Sequence, residues 1–302
     1  MTSVTAARFG VLLIVLTCTA MLGNLAQPTF AQDEAEQQAA RQFNIIATAY
    51  NNGVYEKAAQ KWAEFIDKHP DYKRVDEAYF YLGNSQLNLK KYNEAIATYN
   101  TLAQKHPQFA NLDAARFNLA MARFQIASAS NKAEDFQAAA KAFEDLITKH
   151  QQSAYLARAY YYLGDARYVA KDVAGAADAY RQLVEKFPDN SLAADALYFL
   201  GVAQQELNQT EQAIDTYEKF LKQPAYAKHE LAPEIRLRQG ICLYDQEKFS
   251  EAEKRFAAAA ADKQSPYAAF ALLRQGQCRM SAGKPEEAAD LFAELLKSYS
   301  ES

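Results

Sequence analysis

The sequence predicts an all-α fold, a solenoid of about seven copies of one helix-turn-helix unit. The first observation behind this is a fixed spacing: a small residue, then an aromatic residue nine positions later, alanine twelve later, an aromatic residue sixteen later and proline twenty-four later. In the best copy these residues are Gly83, Tyr92, Ala95, Tyr99 and Pro107. The first position, here named the glycine column, recurs at Ile46, Gly83, Ala120, Gly164, Gly201, Gly240 and Gly276. The second observation is that no stretch shows the period-two alternation of a half-buried strand.

Residues 1–31 have the pattern of a secretory signal peptide. Arg8 precedes an apolar run over residues 9–25, and a cleavage boundary at Ala31 stands before an acidic segment, in the order typical of such signals. We expect cleavage after Ala31 and export to the periplasm or the cell envelope. Two alternatives stay open. One is an uncleaved anchor, since an apolar run of this length approaches the span of a bilayer, and the other is a lipoprotein acylated on Cys18.

A short polar lead-in, residues 32–38, precedes the repeats, which occupy residues 39–302. The units start near residues 39, 76, 113, 157, 194, 233 and 269. The third unit carries seven extra residues, 128–134. Because seven residues are close to two helical turns, we expect them to lengthen both helices of that unit without changing their phase.

Each unit is predicted to form two helices that touch at small residues. In the second unit, apolar residues at three- and four-residue spacing predict a first helix from about Val75 to Leu89. The second helix ends before Pro107, because proline cannot continue a helix. Small side chains in the glycine column, and in the alanine column twelve residues later, let the two backbones approach closely. These packing residues are Gly83, Ala95, Gly164, Ala176, Gly201, Ala213, Gly240, Ala252, Gly276 and Ala288.

The residues Tyr79, Leu82 and Gly83, with the aromatic, alanine and proline columns that follow them, resemble the tetratricopeptide (TPR) repeat. The resemblance covers residues 39–302 and implies a right-handed superhelical solenoid whose first helices line a concave groove. Successive glycines lie 36 to 39 residues apart, more than the usual period of about 34. This longer period is similar to that of bacterial envelope TPR proteins, such as the lipoprotein of outer-membrane barrel assembly and the periplasmic coordinator of cell division.

Aromatic residues recur at two positions of the first helices, three residues before and four residues after the glycine column. The resemblance implies that both positions face the groove, where aromatic side chains would grip an extended or helical peptide, as they do at interface hot spots. The alternative is that the nearer position packs between adjacent repeats. The predicted groove residues are Phe80, Phe117, Phe124, Tyr161, Tyr168, Tyr198 and Tyr244.

The sequence predicts no enzyme, no cofactor and no metal site. His69, His106 and His150 share one column at the end of successive second helices. They should therefore lie at least one helix-packing distance apart, about 8–10 Å, which is too far to share a zinc ion. Cys242 and Cys278 stand two residues after the glycine column and are expected to be small buried residues, not a disulfide. The net charge of −4, mixed along the chain, gives no reason to expect nucleic acid as a partner.

The expected function is that of an exported, non-catalytic scaffold that binds a protein or peptide partner through the groove. The alternative is an N-terminal part or accessory arm of a larger protein or complex whose activity lies elsewhere. Membrane association is expected only through the N-terminal segment. The last repeat carries apolar residues on its outer face, and we expect self-association or docking of a partner there; these residues are Phe270, Leu273, Leu291 and Leu295.

Overall fold

The computed structural model describes the backbone of residues 12–299 and the side chains of residues 32–299. Every regular element in this range is helical, with no strand, so the predicted all-α class is confirmed. Fourteen α-helices follow one another in the described range, with one 3₁₀ turn at Pro224–Tyr226. The helices are α1 Leu12–Asn51, α2 Tyr55–Lys68, α3 Val75–Asn88, α4 Tyr92–Lys105, α5 Leu112–Ser130, α6 Ala133–Lys149, α7 Leu156–Val169, α8 Val173–Lys186, α9 Ala193–Glu206, α10 Thr210–Lys222, α11 Ala232–Asp245, α12 Phe249–Ala260, α13 Ala268–Ser281 and α14 Pro285–Ser298.

The chain divides into two compact units, Met1–Ala122 and Arg123–Ser302. In the first unit α2 packs against α1 and α3, and α3 packs against α4. In the second unit each helix from α6 to α13 packs against the next helix in sequence. Packing mainly between sequence neighbours is the arrangement of a repeat protein, in which each repeat contacts only the repeats beside it. The predicted solenoid of helix-turn-helix repeats is confirmed.

One residue with positive φ lies in the turn between the two helices of every repeat. These residues are Gly53, Lys90, Asn131, Lys171, Asn208, Glu247 and Gly283, with φ between 54° and 76°. In most of these turns the next N–H donates back to a carbonyl five residues earlier, as from Lys91 to Gln86 at 2.9 Å and from Asp172 to Arg167 at 2.8 Å. This is the left-handed cap that commonly ends a helix. Seven such turns in the described range agree with seven repeats.

The second helices of the first three repeats end at the predicted histidine column. His69, His106 and His150 are the residues at the C-terminal caps of α2, α4 and α6. Each donates its backbone N–H to a carbonyl four residues earlier, at 2.8 to 2.9 Å. The His69 ring packs 4.9 Å from the ring of Phe65. The column therefore closes the helix, as the sequence predicted.

The two helices of a repeat touch at the glycine and alanine columns. A Cβ atom added at Gly83 would lie 2.5 Å from Cε1 of Tyr99, and one added at Gly164 would lie 2.5 Å from Cε1 of Tyr180. These distances are far shorter than a van der Waals contact, so any side chain at the glycine would displace the ring. The alanine column is fully buried at Ala95, Ala176, Ala213, Ala252 and Ala288.

The extra residues of the third repeat lengthen both of its helices. α5 has 19 residues and α6 has 17, whereas most other helices have 14. The predicted extension is confirmed, and the turn between the two helices keeps its positive-φ residue at Asn131.

The first helix, α1, extends through the segment predicted to be cleaved. The predicted boundary at Ala31 and the alternative acylation site Cys18 lie outside the described side chains, so the signal peptide stays a prediction. Among the described residues, no helix combines the length and the apolar character needed to cross a membrane.

Candidate functional site

The nearer aromatic position, three residues before the glycine column, is buried in some repeats and partly exposed in others. Phe117 is buried, and so are Phe43 and Leu237 at the same position of other repeats. Phe80, Tyr161 and Tyr198 are partly exposed. Sequence alone left two alternatives for this position, a groove lining or packing between repeats. Burial of Phe117 fits packing, and the groove lining by the partly exposed residues stays a prediction.

Phe80 and Phe124 are held by other aromatic rings. The Phe80 ring lies 5.5 Å from that of Phe109. The Phe124 ring lies 5.3 Å from Tyr162 and 5.7 Å from Phe136, edge to face in both cases. Both side chains are partly exposed, so each presents part of a ring whose position is fixed by its neighbours.

The other four predicted groove residues form what we call the tyrosine row: Tyr161, Tyr168, Tyr198 and Tyr244. All four lie on first helices of the second unit and are partly exposed.

Three hydroxyls of the row bond to the first helix of the next repeat. Tyr168 on α7 donates to Glu206 on α9. Tyr198 on α9 donates to Oε1 of Glu234 on α11 at 2.7 Å. The Tyr244 hydroxyl on α11 lies 3.0 Å from the Ser281 hydroxyl on α13. Each bond links consecutive repeats and fixes the direction of its ring.

Glu234 is the centre of a polar network beside the tyrosine row. Its Oε1 accepts from Tyr198 and from Arg238 Nε at 2.8 Å, and its Oε2 accepts from the Tyr267 hydroxyl at 2.6 Å. Burial acts to raise the pKa of Glu234, but the hydrogen bonds from Tyr267, Tyr198 and Arg238 outweigh it, and the pKa lies below its ordinary value. An ionised carboxylate thus joins α9, α11 and the start of α13.

Asp165 lies next to the glycine column on α7, and its pKa is shifted in the opposite direction from that of Glu234. Burial raises its pKa to about 6, the hydrogen bond from Tyr180 opposes this rise, and the negative charge of Asp195 adds to it. The Tyr180 hydroxyl donates to Asp165 Oδ1 at 2.7 Å. Asn84 occupies the same position in the second repeat and accepts from the Tyr99 hydroxyl at 2.7 Å. The carboxyl of Asp165 therefore accepts the same tyrosine hydrogen bond that the Asn84 amide accepts in the second repeat, but Asp165 can ionise.

Guanidinium groups cover two rings of the row. The Arg238 guanidinium lies 5.5 Å from the ring centre of Tyr198, and that of Arg274 lies 4.5 Å from the ring centre of Tyr244. Burial and then the hydrogen bond to Glu234 raise the pKa of Tyr198 to about 12, so its hydroxyl remains a proton donor at neutral pH. The surface combines aromatic faces, carboxylates and cations, which suits recognition of a polypeptide.

Among the described side chains, the two cysteines are buried, and the histidines stand at helix ends or in aromatic contacts. Cys242 and Cys278 are free and buried, and burial raises the pKa of both thiols to about 11, which leaves them unreactive at neutral pH. The remaining histidine, His229, packs its ring 5.5 Å from that of Phe220. Within residues 32–299, no group of three potential metal ligands comes together.

Sequence reasoning found the row but missed its acidic partners. Glu206 stands five residues after the glycine column, and Glu234 stands six residues before it in the next repeat. The residue type at each of these two positions varies from repeat to repeat, so no column of acids marks them in the sequence. The signal that could have found the pair is the distance along the chain between Tyr198 and Glu234, which is about the length of one repeat.

Comparison with known proteins identifies the repeat. Two sequence models of the tetratricopeptide repeat match the chain, one over residues 124–191 and 237–302 and the other over residues 77–108 and 195–224. Together the matched segments cover about two thirds of the chain. The comparison with curated proteins gave no match.

Solved structures share the fold at low sequence identity. The apo form of RapI is 12% identical, with a TM-score of 0.55 over 87% of this chain and 77% of that one. A tetratricopeptide repeat protein from Parabacteroides merdae is 13% identical, with a TM-score of 0.51 over 87% of this chain and 94% of its own. YrrB, described as a TPR protein with an unusual peptide-binding site, is 20% identical, with a TM-score of 0.50 over 67% and 93% of the two chains. At these identities the likeness is one of fold, and together with the matched repeats it shows that this chain belongs to the tetratricopeptide repeat family.

Proposed function

We propose that this protein is a scaffold that binds a peptide segment of a partner protein along the tyrosine row and catalyses no reaction. The observation that carries this proposal is the row itself: Tyr168, Tyr198 and Tyr244 lie on three consecutive first helices, with rings partly exposed and hydroxyls bonded to the next repeat. YrrB, which shares the fold, is described as having a peptide-binding site, and this supports a polypeptide as the ligand class.

The row is suited to binding because its rings are already ordered. A tyrosine that is free in solution must lose rotamer freedom when it is buried at an interface, at a cost of about 0.5–1.5 kcal/mol for a flexible side chain. Here the hydroxyl of Tyr198 is held by Glu234, and its ring is covered on one side by Arg238. A ligand therefore meets ring surface that needs little further ordering.

A binding comparison tests the proposal. The Tyr161→Ala/Tyr198→Ala variant should capture less partner from native cell extracts than the wild type, as quantified by mass spectrometry, while keeping most of its helix content. Tyr198→Phe is the matched control, since it keeps the ring and loses only the hydroxyl and its bond to Glu234, and it should lose far less capture than the double variant. Equal capture by the double variant, in protein shown by circular dichroism to be folded, would remove the row from the binding site.

We also propose that the protein acts outside the cytoplasm, in the periplasm or the cell envelope. The supporting observation is the signal-like sequence of residues 1–31, with Arg8, the apolar run and the boundary at Ala31. N-terminal sequencing of the exported protein should give Gln32 as the first residue. A lipid-modified Cys18 would instead place the protein on a membrane surface, and an intact N-terminus in a cytoplasmic fraction would contradict export.

A further inference from the structure

We propose that the segment bound by the tyrosine row is basic, and that one of its arginine residues binds the carboxylates of Asp165 and Asp195 beside the ring of Tyr161. This inference rests on the proposed function, because it names the chemistry of the peptide that the row binds. It draws on three features of the molecule: an excess of carboxylates on the face of the row, an arginine site built into the next repeat, and two acids that form no ion pair within the described structure.

Carboxylates outnumber cations on the face of α7, α9 and α11 that carries the tyrosine row. This face comprises the row itself and the positions six and two residues before the glycine column and one and five residues after it, which share one side of a helix because they recur at three- and four-residue spacing. Its charged residues are the acids Asp165, Asp195, Glu206, Glu234 and Asp245 and the bases Arg158 and Arg238.

The acids remain in excess when neighbouring bases are included. Arg274 of α13, whose guanidinium lies over the ring of Tyr244, adds one further cation to the face. Arg167 on α7 pairs with Glu144 on the second helix α6, so its charge is directed away from the row. Arg236 on α11 also lies on another side, since its position is that of Tyr160, whose hydroxyl bonds to Lys186 on a second helix; these residues do not offset the acids. A net negative face favours a basic ligand.

The next repeat contains an arginine site of the proposed kind. Arg238 on α11 donates from Nε to Glu234 at 2.8 Å, and its guanidinium lies 5.5 Å from the ring centre of Tyr198 on α9. A guanidinium suits such a site because it can bond to a carboxylate and lie on an aromatic ring at the same time. One repeat earlier, the positions of this acid and this ring are occupied by Asp195 and Tyr161.

The earlier repeat has the acid and the ring without the guanidinium. Phe199 stands at the position of Arg238, and its ring lies 6.3 Å from that of Tyr161. Asp165 adds a second carboxyl there: burial, and then the charges of Asp165 and Asp195, raise the pKa of the Tyr161 hydroxyl. Neither acid forms an ion pair with a described residue. Like charges that act on one another are relieved by a cation, which an arginine of the ligand would supply.

Both carboxyls are available for this role at neutral pH. Burial raises the pKa of Asp165 to about 6, and the charge of Asp195 adds to the rise, so Asp165 is mostly ionised at pH 7. Asn84 occupies the place of Asp165 in the second repeat and accepts the same hydrogen bond from a tyrosine. The charge of Asp165 is therefore not needed for the contact between the two helices of a repeat.

A peptide selection at pH 7 tests the inference. The full chain is immobilised, and peptides are selected on it from a random library displayed on phage. Compared with the input library, the retained peptides should be enriched in arginine and depleted in aspartate and glutamate. The Asp165→Asn/Asp195→Asn variant should fold and lose the enrichment in arginine. Asp215→Asn, at an exposed position of the second helix α10, is the matched control and should select arginine as the wild type does.

A retained peptide then locates the arginine. Replacing each arginine in turn by citrulline keeps the shape of the side chain and removes its charge. At one position, citrulline should weaken binding to the wild type by about ten-fold, measured by fluorescence anisotropy, because a close charge pair is lost. The same replacement should weaken binding to the Asp165→Asn/Asp195→Asn variant by less than about two-fold, since the carboxylates are already absent.

The outcomes separate this inference from the proposed function. A wild type that retains no peptide, or a Tyr161→Ala/Tyr198→Ala variant that retains the same peptides as the wild type, would contradict binding by the tyrosine row itself. Peptides that depend on the row but show no excess of arginine would overturn only the basic ligand. Enrichment in arginine that persists without Asp165 and Asp195 would overturn the assignment of these two carboxylates.

Discussion

Replacing Gly164 with alanine tests the account of how the two helices of a repeat touch. The new Cβ would lie 2.5 Å from Cε1 and 2.7 Å from Cζ of Tyr180, whereas ordinary contacts are 3.4–4 Å. The Tyr180 ring would have to move by about 1 Å, yet it is buried and its hydroxyl is bonded to Asp165. Overpacking of this kind costs about 1–3 kcal/mol, and alanine recovers about 1 kcal/mol through its helix propensity. With the strained hydrogen bond included, we expect the free energy of unfolding to fall by about 1–2 kcal/mol.

Two backgrounds make this test specific to the ring. Tyr180→Phe keeps Cε1, so Gly164→Ala should remain destabilising in that background. Tyr180→Leu removes the ring, so the same substitution should become neutral or stabilising. Urea denaturation gives the stability, and hydrogen exchange in α7 and α8 shows whether the loss is local, as expected when repeats couple only to their neighbours. Unchanged stability of Gly164→Ala, or an equal loss in the leucine background, would refute the reasoning.

Three further predictions concern charge, backbone and the Glu234 network. Because the pKa of Asp165 is raised from 3.8 to about 6, the folded state binds its proton more tightly. The contribution of this group to the free energy of unfolding is fully present below about pH 4 and is lost as the pH rises through 6. Asp165→Asn should therefore stabilise the protein by about 2–3 kcal/mol at pH 7 and flatten the dependence of stability on pH over this range. Lys171→Gly should raise the melting temperature, since a left-handed residue with a side chain costs about 1–2 kcal/mol, whereas Asn208→Gly should change it less because asparagine tolerates that conformation. Glu234→Ala removes a charged acceptor from two hydroxyls and a guanidinium and should cost about 3 kcal/mol in urea denaturation; a loss below 1 kcal/mol would show that the network contributes little.

The helices and their contacts were predictable because every repeat carries the same pattern of residue types. The glycine and alanine columns recur at fixed spacing, and close approach of two helices allows few residue types at those positions. The position of the histidines at the ends of second helices and the longer helices of the third repeat were predicted from the same spacing, and the structure confirms both. A left-handed residue in each turn was visible at Gly53, but Lys90 and Glu247 give no such signal.

The candidate site was only partly predictable because exposure depends on the neighbouring repeat. Phe117 and Tyr198 occupy equivalent positions, yet Phe117 is buried and Tyr198 is partly exposed. The pKa of Asp165 depends on burial beside Asp195, which lies in the next repeat and carries no motif.

Site-specific photo-cross-linking tests the central claim most directly. Benzoylphenylalanine placed at Tyr198 and, in a second variant, at Tyr161 should cross-link a partner polypeptide in extracts of the native host. The same group placed at Asp215, exposed on the second helix α10, should give no such product. Cross-linking at the tyrosine row alone is the result that the account predicts. Equal cross-linking at Asp215, or cross-linking there and none at the row, would contradict it.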